Sequence, residues 1–246
     1  GQLATTVNET LTRLDTAVAQ QRRFVADASH ELRGPLAALR ADLEISVAHP
    51  ARTEWTTVAA DTLGDVERLQ HLTEDLLLLA RLDAHAAPRV EAVELHELAR
   101  DALAAVRRPG VLVRPVVDAR DVVVHGDRRQ LARMIRNLVH NAEQHCISNL
   151  GVSIELSDTR ATLVVADDGP GIPVEQRDHV FERFIRLDTA RTAGEGGTGL
   201  GLAIVHDVVV AHRGCISISD ARPHGTIVRV ELPIGVSAID DVPKRS

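Results

Sequence analysis

A heptad pattern of apolar residues is the feature that most constrains the fold of this 246-residue chain. Such an a/d seam indicates a long helix that packs along its length against partner helices. With Val25 and Leu32 at position a, His30 falls at position f, farthest from the seam, where a side chain faces solvent. A lone histidine there also fits an ordinary solvated helix surface. The seam consists of Ala4, Val7, Leu11, Leu14, Val18, Val25, Ala28, Leu32 and Leu39.

The seam helix is predicted to end near Ala48, because a His-Pro pair follows. A bend is expected at Gly34-Pro35, since proline removes a backbone hydrogen bond. A second helix is predicted over residues 53–84. Its buried stripe would contain Trp55, Val58, Ala59, Val66, Leu69, Leu72, Leu76 and Leu79. A hairpin of two such helices cannot cover its own stripe, whereas two copies would form a four-helix bundle. Residues 23–86 are therefore predicted to be an all-α dimerising hairpin.

Composition and charge exclude several classes of protein. The net charge of −7, with dispersed basic residues, argues against a nucleic-acid partner. The two cysteines, Cys146 and Cys215, form no CxxC motif and suggest neither a metal site nor a disulfide framework. The longest apolar runs are too short to span a bilayer. Because the sequence has no secretory signal and no initiating Met, we expect a cytoplasmic part of a longer chain.

Helix and strand periodicities alternate after a linker predicted at residues 87–91. Helices are predicted at about 96–106, 127–145 and 199–212, with a short one near 174–183. Strands are predicted at 111–117, 122–124, 152–156, 161–166, 215–219 and 226–232. This order favours an α+β two-layer sandwich over residues 92–234, with helices covering one face of a mixed sheet. Residues 235–246 are expected to be a disordered tail.

The first motif with chemical meaning is NLVHN, residues 137–141. Asn137 and Asn141 are one helical turn apart, so both amides project from one face. Amide oxygens are hard, neutral ligands that suit Mg²⁺ carried in with the phosphates of a nucleotide. Two asparagines at this spacing are also common by chance, so the residues alone leave the ligand role open.

The second and third motifs are DDGPGI, residues 167–172, and FERF, residues 181–184. A carboxylate at a strand end can accept a hydrogen bond from the exocyclic amine of adenine, while the glycines let the backbone approach the ring. The same residues also fit a plain Asp-Gly turn. FERF taken by itself is typical of the end of an amphipathic helix.

The fourth motif is the glycine-rich stretch GEGGTGLGL, residues 194–202. Its backbone amides could cradle phosphates at the start of the helix that follows. It is not a Rossmann fingerprint, which would open a βαβ unit after the first strand, and it lacks the Lys-Ser/Thr pair of a Walker A loop.

Together these motifs resemble those of sensor histidine kinases. Residues 29–36, SHELRGPL, resemble the H box, and the four later motifs resemble, in order, the N box, the first glycine box, the F box and the second glycine box. The resemblance covers about residues 22–233. It implies a GHKL-type ATP-binding domain, autophosphorylation of His30 from Mg·ATP, and transfer to an aspartate of a response regulator by a homodimer. Residues 1–22 resemble the end of a HAMP linker, which implies the cytoplasmic fragment of a membrane receptor.

The resemblance also implies roles for individual residues. Glu31 would hold the proton on the second ring nitrogen of His30. Asn141 and Asn137 would bind the metal, and Asp167 would recognise adenine. The other implied nucleotide contacts are Gln144, His145, Gly169, Gly171, Ile172, Arg186, Gly197, Thr198, Gly199, Leu200, Gly201 and Leu202.

Two positions depart from the family pattern. Three residues after Asn141 a Lys or Arg is usual, but here Gln144 stands, so one phosphate-contacting cation is missing. Binding would then depend more on Arg186, which resembles the arginine of the nucleotide lid. Four residues after His30, Thr or Asn usually orients a water for phosphatase activity, but here the residue is Gly34. Kinase activity with weak phosphatase activity is therefore expected.

Two other functions remain open. The chain could be a GHKL serine kinase or ATPase whose helices serve as a dimer stalk, or a non-enzymatic dimeric scaffold with a degenerate pocket. ATPases of the wider superfamily carry a glutamate base where Asn137 stands, and an amide cannot serve as that base. This difference favours phosphoryl transfer over hydrolysis.

Overall fold

The chain divides into two compact units, with the boundary between Leu77 and Leu78. A computed structural model describes residues 7, 26, 28–50, 53–84, 88–117, 122–157, 159–185 and 198–234. The predictions for Arg186, Gly197, the tail and nearly all of residues 1–22 therefore lie outside the described residues. Within the described parts of the chain, no helix combines the length and apolar character that crossing a bilayer requires.

The described part of the first unit consists of two long helices. Helix α1 occupies residues 28–48, and helix α2 occupies Trp55–Asp83, so its last turns belong to the second unit. The connection is closed by the hydroxyl of Thr53, which donates to the carbonyl oxygens of Ser46 and His49 at 3.1 and 2.9 Å. The predicted helical hairpin and the end of its first helix are confirmed.

Much of the hairpin's apolar surface stays uncovered in a single chain. Leu72 is buried, but Trp55 and Val66 are 49% and 40% exposed. On α1, which continues as a helix through Gly34 and Pro35, an apolar groove is lined by residues that include Leu36 and Val47. A second copy of the chain would bury such a surface, and the dimer stays a prediction.

A five-stranded mixed sheet is the centre of the second unit. The strands of this unit are β1 (Glu91–Glu94), β2 (Leu112–Val117), β3 (Val123–Gly126), β4 (Asn149–Leu156), β5 (Arg160–Asp167), β6 (Cys215–Asp220) and β7 (Thr226–Pro233). The sheet order is β2-β4-β5-β7-β6, in which only β2 and β4 are parallel. Strands β1 and β3 form a separate antiparallel pair.

Among the described residues of the second unit, three helices complete the domain: α3 (Leu95–Ala104), α4 (Arg128–His145) and α5 (Gly201–Ala211). Helix α4 packs between α3 and α5 and contacts β4 and β5. Burial alternates along β4 and β7, as expected for a sheet that is covered on one face. The predicted fold class, a helical hairpin followed by a two-layer α+β domain, is confirmed.

Two details of the second unit differ from the sequence-based expectation. Strand β1 was not predicted, because four residues with two glutamates carry no clear alternation. The short helix expected near residues 174–183 is instead two 3₁₀ segments, Val174–Gln176 and His179–Phe181. The other predicted helices and strands of this domain lie within a few residues of their observed bounds.

Candidate functional site

Helix α4 presents both motif asparagines on one face. Its start is fixed by Asp127, whose Oδ1 accepts hydrogen bonds from the backbone N–H groups of Arg129 and Gln130 at 3.0 and 3.2 Å. The opposite face carries buried apolar residues that anchor the helix in the core. Asn137 and Asn141 are consequently both half-buried and lie one turn apart.

Asn137 lies against the beginning of α5. Its Nδ2 donates to the carbonyl oxygen of Gly201 at 3.3 Å. Helix α5 begins after Leu200 without a side-chain cap, so the first backbone N–H groups of the helix lack helical partners and can bind an anion. The structure therefore brings the amide motif and the glycine-rich motif together.

Asp167 is buried at the end of β5. Its Oδ1 accepts hydrogen bonds from the N–H groups of Gly169 and Thr226 at 2.8 and 3.3 Å, which fix the orientation of the carboxyl group. Burial raises the pKa of Asp167, while these hydrogen bonds and the nearby His145 oppose the rise.

Gly169 and Gly171 let the loop after β5 meet the end of α4. A Cβ at Gly169 would overlap the carbonyl oxygen of His145 and lie 2.8 Å from Oδ1 of Asp167. Gly171 has φ +81°, a conformation that side chains other than glycine rarely adopt. Ile172 follows, half-buried, and its carbonyl oxygen accepts a hydrogen bond from Arg177 at 3.0 Å.

Gln144 and His145 are the last two residues of α4. The Nε2 atom of Gln144 lies 3.0 Å from the ring nitrogen Nε2 of His140 on the exposed surface of the helix. Desolvation lowers the pKa of His145. The negative charge of Asp167 opposes this fall and the positive charge of Arg108 adds to it. The ring is therefore neutral at pH 7.

The FERF segment contacts the start of α5. The N–H of Phe184 donates to the carbonyl oxygen of Gly199 at 2.9 Å. Gly199 has φ +68°, and a Cβ there would lie 2.8 Å from the carbonyl carbon of Phe184, so the contact requires glycine. Leu200 is buried, whereas Thr198 and Leu202 are half-buried.

Arg183, in the FERF segment, joins two carboxylates within the second unit. Its guanidinium contacts both oxygens of Asp83 at 2.7 and 2.8 Å, and Oδ2 of Asp207 on α5 at 2.8 Å. Hydrogen bonding to Asp83 and then to Asp207 raises the pKa of Arg183 above its already high ordinary value. The sequence pattern does not predict this cluster, because Asp83 lies in a different element far away in the sequence.

His30 lies on an exposed part of α1, in the first unit. Within the described residues no hydrogen bond joins His30 to Glu31, since consecutive residues on a helix point about 100° apart. A Cβ at Gly34 would meet no other atom within 4 Å.

The side chains of the second unit fit an adenine nucleotide with its metal. The Nδ2 atom of Asn137 is bound to Gly201, which leaves the amide oxygen as the group that could face a cation. The start of α5 offers N–H donors for phosphates, and the buried Asp167 offers a fixed acceptor for an amine. Asn141, one turn from Asn137, adds a second hard oxygen.

Comparison with known proteins identifies both units. A model of the family described as "Histidine kinase-, DNA gyrase B-, and HSP90-like ATPase" matches residues 126–236, and one for the "His Kinase A (phospho-acceptor) domain" matches residues 20–85. The chain is 40% identical over 254 residues to the "Probable sensor histidine kinase TcrY" of Mycobacterium tuberculosis, covering 95% of this chain and 52% of TcrY. It is 39% identical over 241 residues to the sensor protein CutS of Streptomyces coelicolor, a match that covers 95% of this chain and 58% of CutS.

The chain thus spans about half the length of the curated relatives that it matches. Among solved structures it is similar to the histidine kinase AdeS of Acinetobacter baumannii, with a TM-score of 0.68 and 26% sequence identity. That match covers 84% of this chain and 98% of the AdeS chain.

Proposed function

The chain belongs to the sensor histidine kinases, and from this premise we propose that it transfers the γ-phosphoryl group of ATP to His30. The full-length protein then passes this group to an aspartate of a response regulator. The observation that carries the proposal is the convergence of three motifs in the second unit. Asn137 meets the start of α5, and the end of α4 meets the loop that holds Asp167.

On the nucleotide side, Asp167 accepts a hydrogen bond from the amine of adenine. Asn141 and Asn137 would hold Mg²⁺ through their amide oxygens, and the ion would neutralise charge on the phosphates. The N–H groups at the start of α5 bind phosphate oxygens. Arg186 supplies a positive charge that Gln144 cannot.

On the acceptor side, an unprotonated ring nitrogen of His30 attacks the γ-phosphorus. A bond forms between this nitrogen and phosphorus while the bond from phosphorus to the bridging oxygen of ADP breaks, and ADP leaves. Glu31 stabilises the proton on the other ring nitrogen, which requires a rotamer that brings its carboxylate beside the ring. The exposure of His30 gives both the nucleotide and the response regulator access to the ring.

The domain organisation that we propose has a phosphotransfer hairpin at residues 23–86, a linker at 87–91 and an ATP-binding domain at 92–234. Residues 1–22 end a signalling segment of a membrane receptor, so the chain belongs to its cytoplasmic portion. The hairpin dimerises through the apolar surface that a single chain leaves exposed. Sedimentation at micromolar concentration should show a dimer, and a monomer would contradict this assignment.

Gly34 leads us to propose that phosphatase activity is weak. The relative MprB of Mycobacterium bovis is named a "histidine-protein kinase/phosphatase" and is 38% identical over 246 residues. In the present chain, the position one turn after His30 offers no hydroxyl or amide that could orient a water. Shut-off of the signal then depends on hydrolysis by the regulator itself or on another enzyme.

Labelling with [γ-³²P]ATP and Mg²⁺ tests the proposed function. A label on His30 is lost in acid and retained in base, because its P–N bond is acid-labile. An acid-stable label would indicate a serine kinase, and turnover of ATP without any label would indicate an ATPase. Absence of nucleotide binding would indicate a non-enzymatic dimeric scaffold.

A further inference from the structure

The second aspartate of DDGPGI, Asp168, collects an unusual number of hydrogen bonds. Its carboxylate accepts from the backbone N–H groups of Ile147, Ser148 and Asn149 at 2.8, 2.9 and 2.9 Å. It also accepts from the hydroxyl of Ser148 and from Nδ2 of Asn149, both at 2.8 Å. All these donors lie in the short segment that follows α4.

These contacts require an ionised carboxylate. Burial works against ionisation, but the hydrogen bonds from Asn149 and Ser148 outweigh it and hold the pKa of Asp168 far below its ordinary range. An asparagine at this position would have one acceptor oxygen and would turn an NH₂ group toward N–H donors. The site is therefore specific for aspartate by its hydrogen-bonding pattern.

Arg108 holds the end of α4 through a second set of contacts. Its guanidinium donates to the carbonyl oxygens of Glu143, Gln144 and Cys146 at 2.8, 3.1 and 2.9 Å. In return, Oε1 of Glu143 accepts from the N–H groups of Arg107 and Arg108 at 2.8 and 2.9 Å. A cation at the carbonyl end of a helix is also favoured by the helix dipole.

We propose that Asp168 and Arg108 are positioning residues of the nucleotide site, and we call them, with Glu143, the α4 clamp. Asp168 directly follows Asp167 in the chain and is bonded to the segment that continues from α4. The clamp therefore sets the position of the Asp167 carboxylate relative to the asparagine face of α4. A single ATP molecule must contact both the Asp167 carboxylate and the asparagine face of α4, so adenine recognition depends on the clamp.

This inference rests on the proposed function, in which Asp167 recognises adenine and the asparagines bind the metal. A loop that is merely held in place would change stability when the clamp is broken. A clamp that positions Asp167 would in addition change the affinity for ATP and the preference for adenine over guanine.

The test compares Asp168→Asn with Asp178→Asn in the complete chain. Asp178 undergoes the same chemical change on an exposed turn and makes no side-chain cap contact. We expect Asp168→Asn to raise the ATP concentration for half-maximal His30 labelling roughly tenfold or more. The labelling rate at saturating ATP should stay within about twofold, and the affinity ratio of ATP to GTP should fall. The Asp178→Asn control should match the wild type in the ATP concentration for half-maximal labelling, in the labelling rate at saturating ATP and in the ratio of ATP to GTP affinity.

Calorimetric titration with Mg·ATP, below the melting temperature of each variant, separates the possible failures. Unchanged ATP affinity in folded Asp168→Asn would overturn the inference, as would equal losses for ATP and GTP. Should Asp168→Asn not fold, Ser148→Ala removes a single donor and should weaken ATP binding two- to fivefold, and no change there would overturn the inference. Absence of His30 labelling with intact ATP binding would refute only the proposed function, whereas absence of ATP binding would refute both.

Discussion

The region of α1 around His30, the proposed acceptor, and the end of α4 are organised in opposite ways. His30 is exposed, as are Ser29 and Arg33, and a Cβ at the nearby Gly34 would meet no atom within 4 Å outside its own stretch of helix backbone. At the end of α4, Asp168 binds the N–H groups of residues 147–149, Arg108 binds the carbonyl oxygens of Glu143, Gln144 and Cys146, and Gly169 leaves no room for a side chain. In the proposed function, the nucleotide has to fit several groups at once and needs a rigid frame. The proposed acceptor has to meet both the nucleotide and the response regulator and needs access.

The largest effect should come from the acceptor itself. Replacing His30 with Gln should abolish ³²P incorporation from ATP and leave nucleotide affinity nearly unchanged, because no nucleotide-binding group is altered. Filter-bound label and calorimetric titration measure the two quantities.

His49→Gln provides a matched control for this substitution. His49 is also exposed, at the end of the same helix, and should retain full labelling when replaced. Labelling of His30→Gln at the wild-type level would show that His30 is not the acceptor.

The nucleotide side should respond in the converse way. Asn141→Ala removes an amide oxygen that we assign to the metal, and should weaken Mg·ATP binding by about 2–3 kcal/mol, roughly 30- to 150-fold. Because Asn141 is only half-buried, the melting temperature should change little. The weakening should shrink when titrations are made with ATP in EDTA, and an equal loss with and without Mg²⁺ would contradict a metal role.

The two regions also differ in how much of them the sequence could predict. The heptad seam and the turn after Ala48 predict α1 correctly over its described part, residues 28–48, because helix periodicity is a local property. The same holds for α4, whose apolar face and Asp127 cap can both be read from consecutive residues. The roles of the site residues stay predictions, since they depend on bound groups.

The clamp could not be predicted from local pattern. Asp168 binds a segment about twenty residues away, and the fold alone brings the two together. In the sequence, Asp168 is one of two adjacent aspartates, and a turn explains both equally well. Arg183 was missed for the same reason, as its partners Asp83 and Asp207 come from two other helices.

Gly34 offers a way to alter the open acceptor region without disturbing the nucleotide site. Gly34→Thr restores a hydroxyl one turn from His30, where the structure has space for it. The helix should tolerate the change, because glycine is a poorer helix former than threonine. We expect the decay of a phosphorylated regulator, measured with this chain and ADP, to speed up severalfold.

Gly34→Ala is the matched control, since it fills the same space without a hydroxyl. It should leave the decay rate at the wild-type level. Equal acceleration by both variants would show that the hydroxyl is not the cause. Tenfold acceleration by the wild-type chain would show that the interpretation of Gly34 is wrong.

The smallest predicted effect concerns His212, which supports the start of α4 as the clamp supports its end. Its Nδ1–H donates to the carbonyl oxygen of Val208 at 2.8 Å, and its Nε2 accepts from the N–H of Asp127 at 3.0 Å. Burial lowers the pKa of His212, although the bond to Val208 and the charge of Asp127 oppose the fall. A protonated ring would place an N–H against the N–H of Asp127. The native ring is therefore neutral.

Because the unfolded histidine titrates near pH 6.5, it takes up a proton before the folded one does. The stability that this group contributes is thus fully present above about pH 6.5 and decreases as the pH falls toward the lower pKa of the folded state.

Between pH 7.5 and 5.5, wild-type protein should lose on the order of 1 kcal/mol more stability than His212→Gln. Replacing the exposed His125 with Gln should keep the wild-type loss. Urea unfolding, monitored through hydrogen exchange of the sheet amides, measures this stability. The fluorescence of Trp55, the single tryptophan, reports on the hairpin instead and should not change with the protonation of His212. The same pH dependence in wild type and His212→Gln would show that this ring does not support α4 through its neutral form.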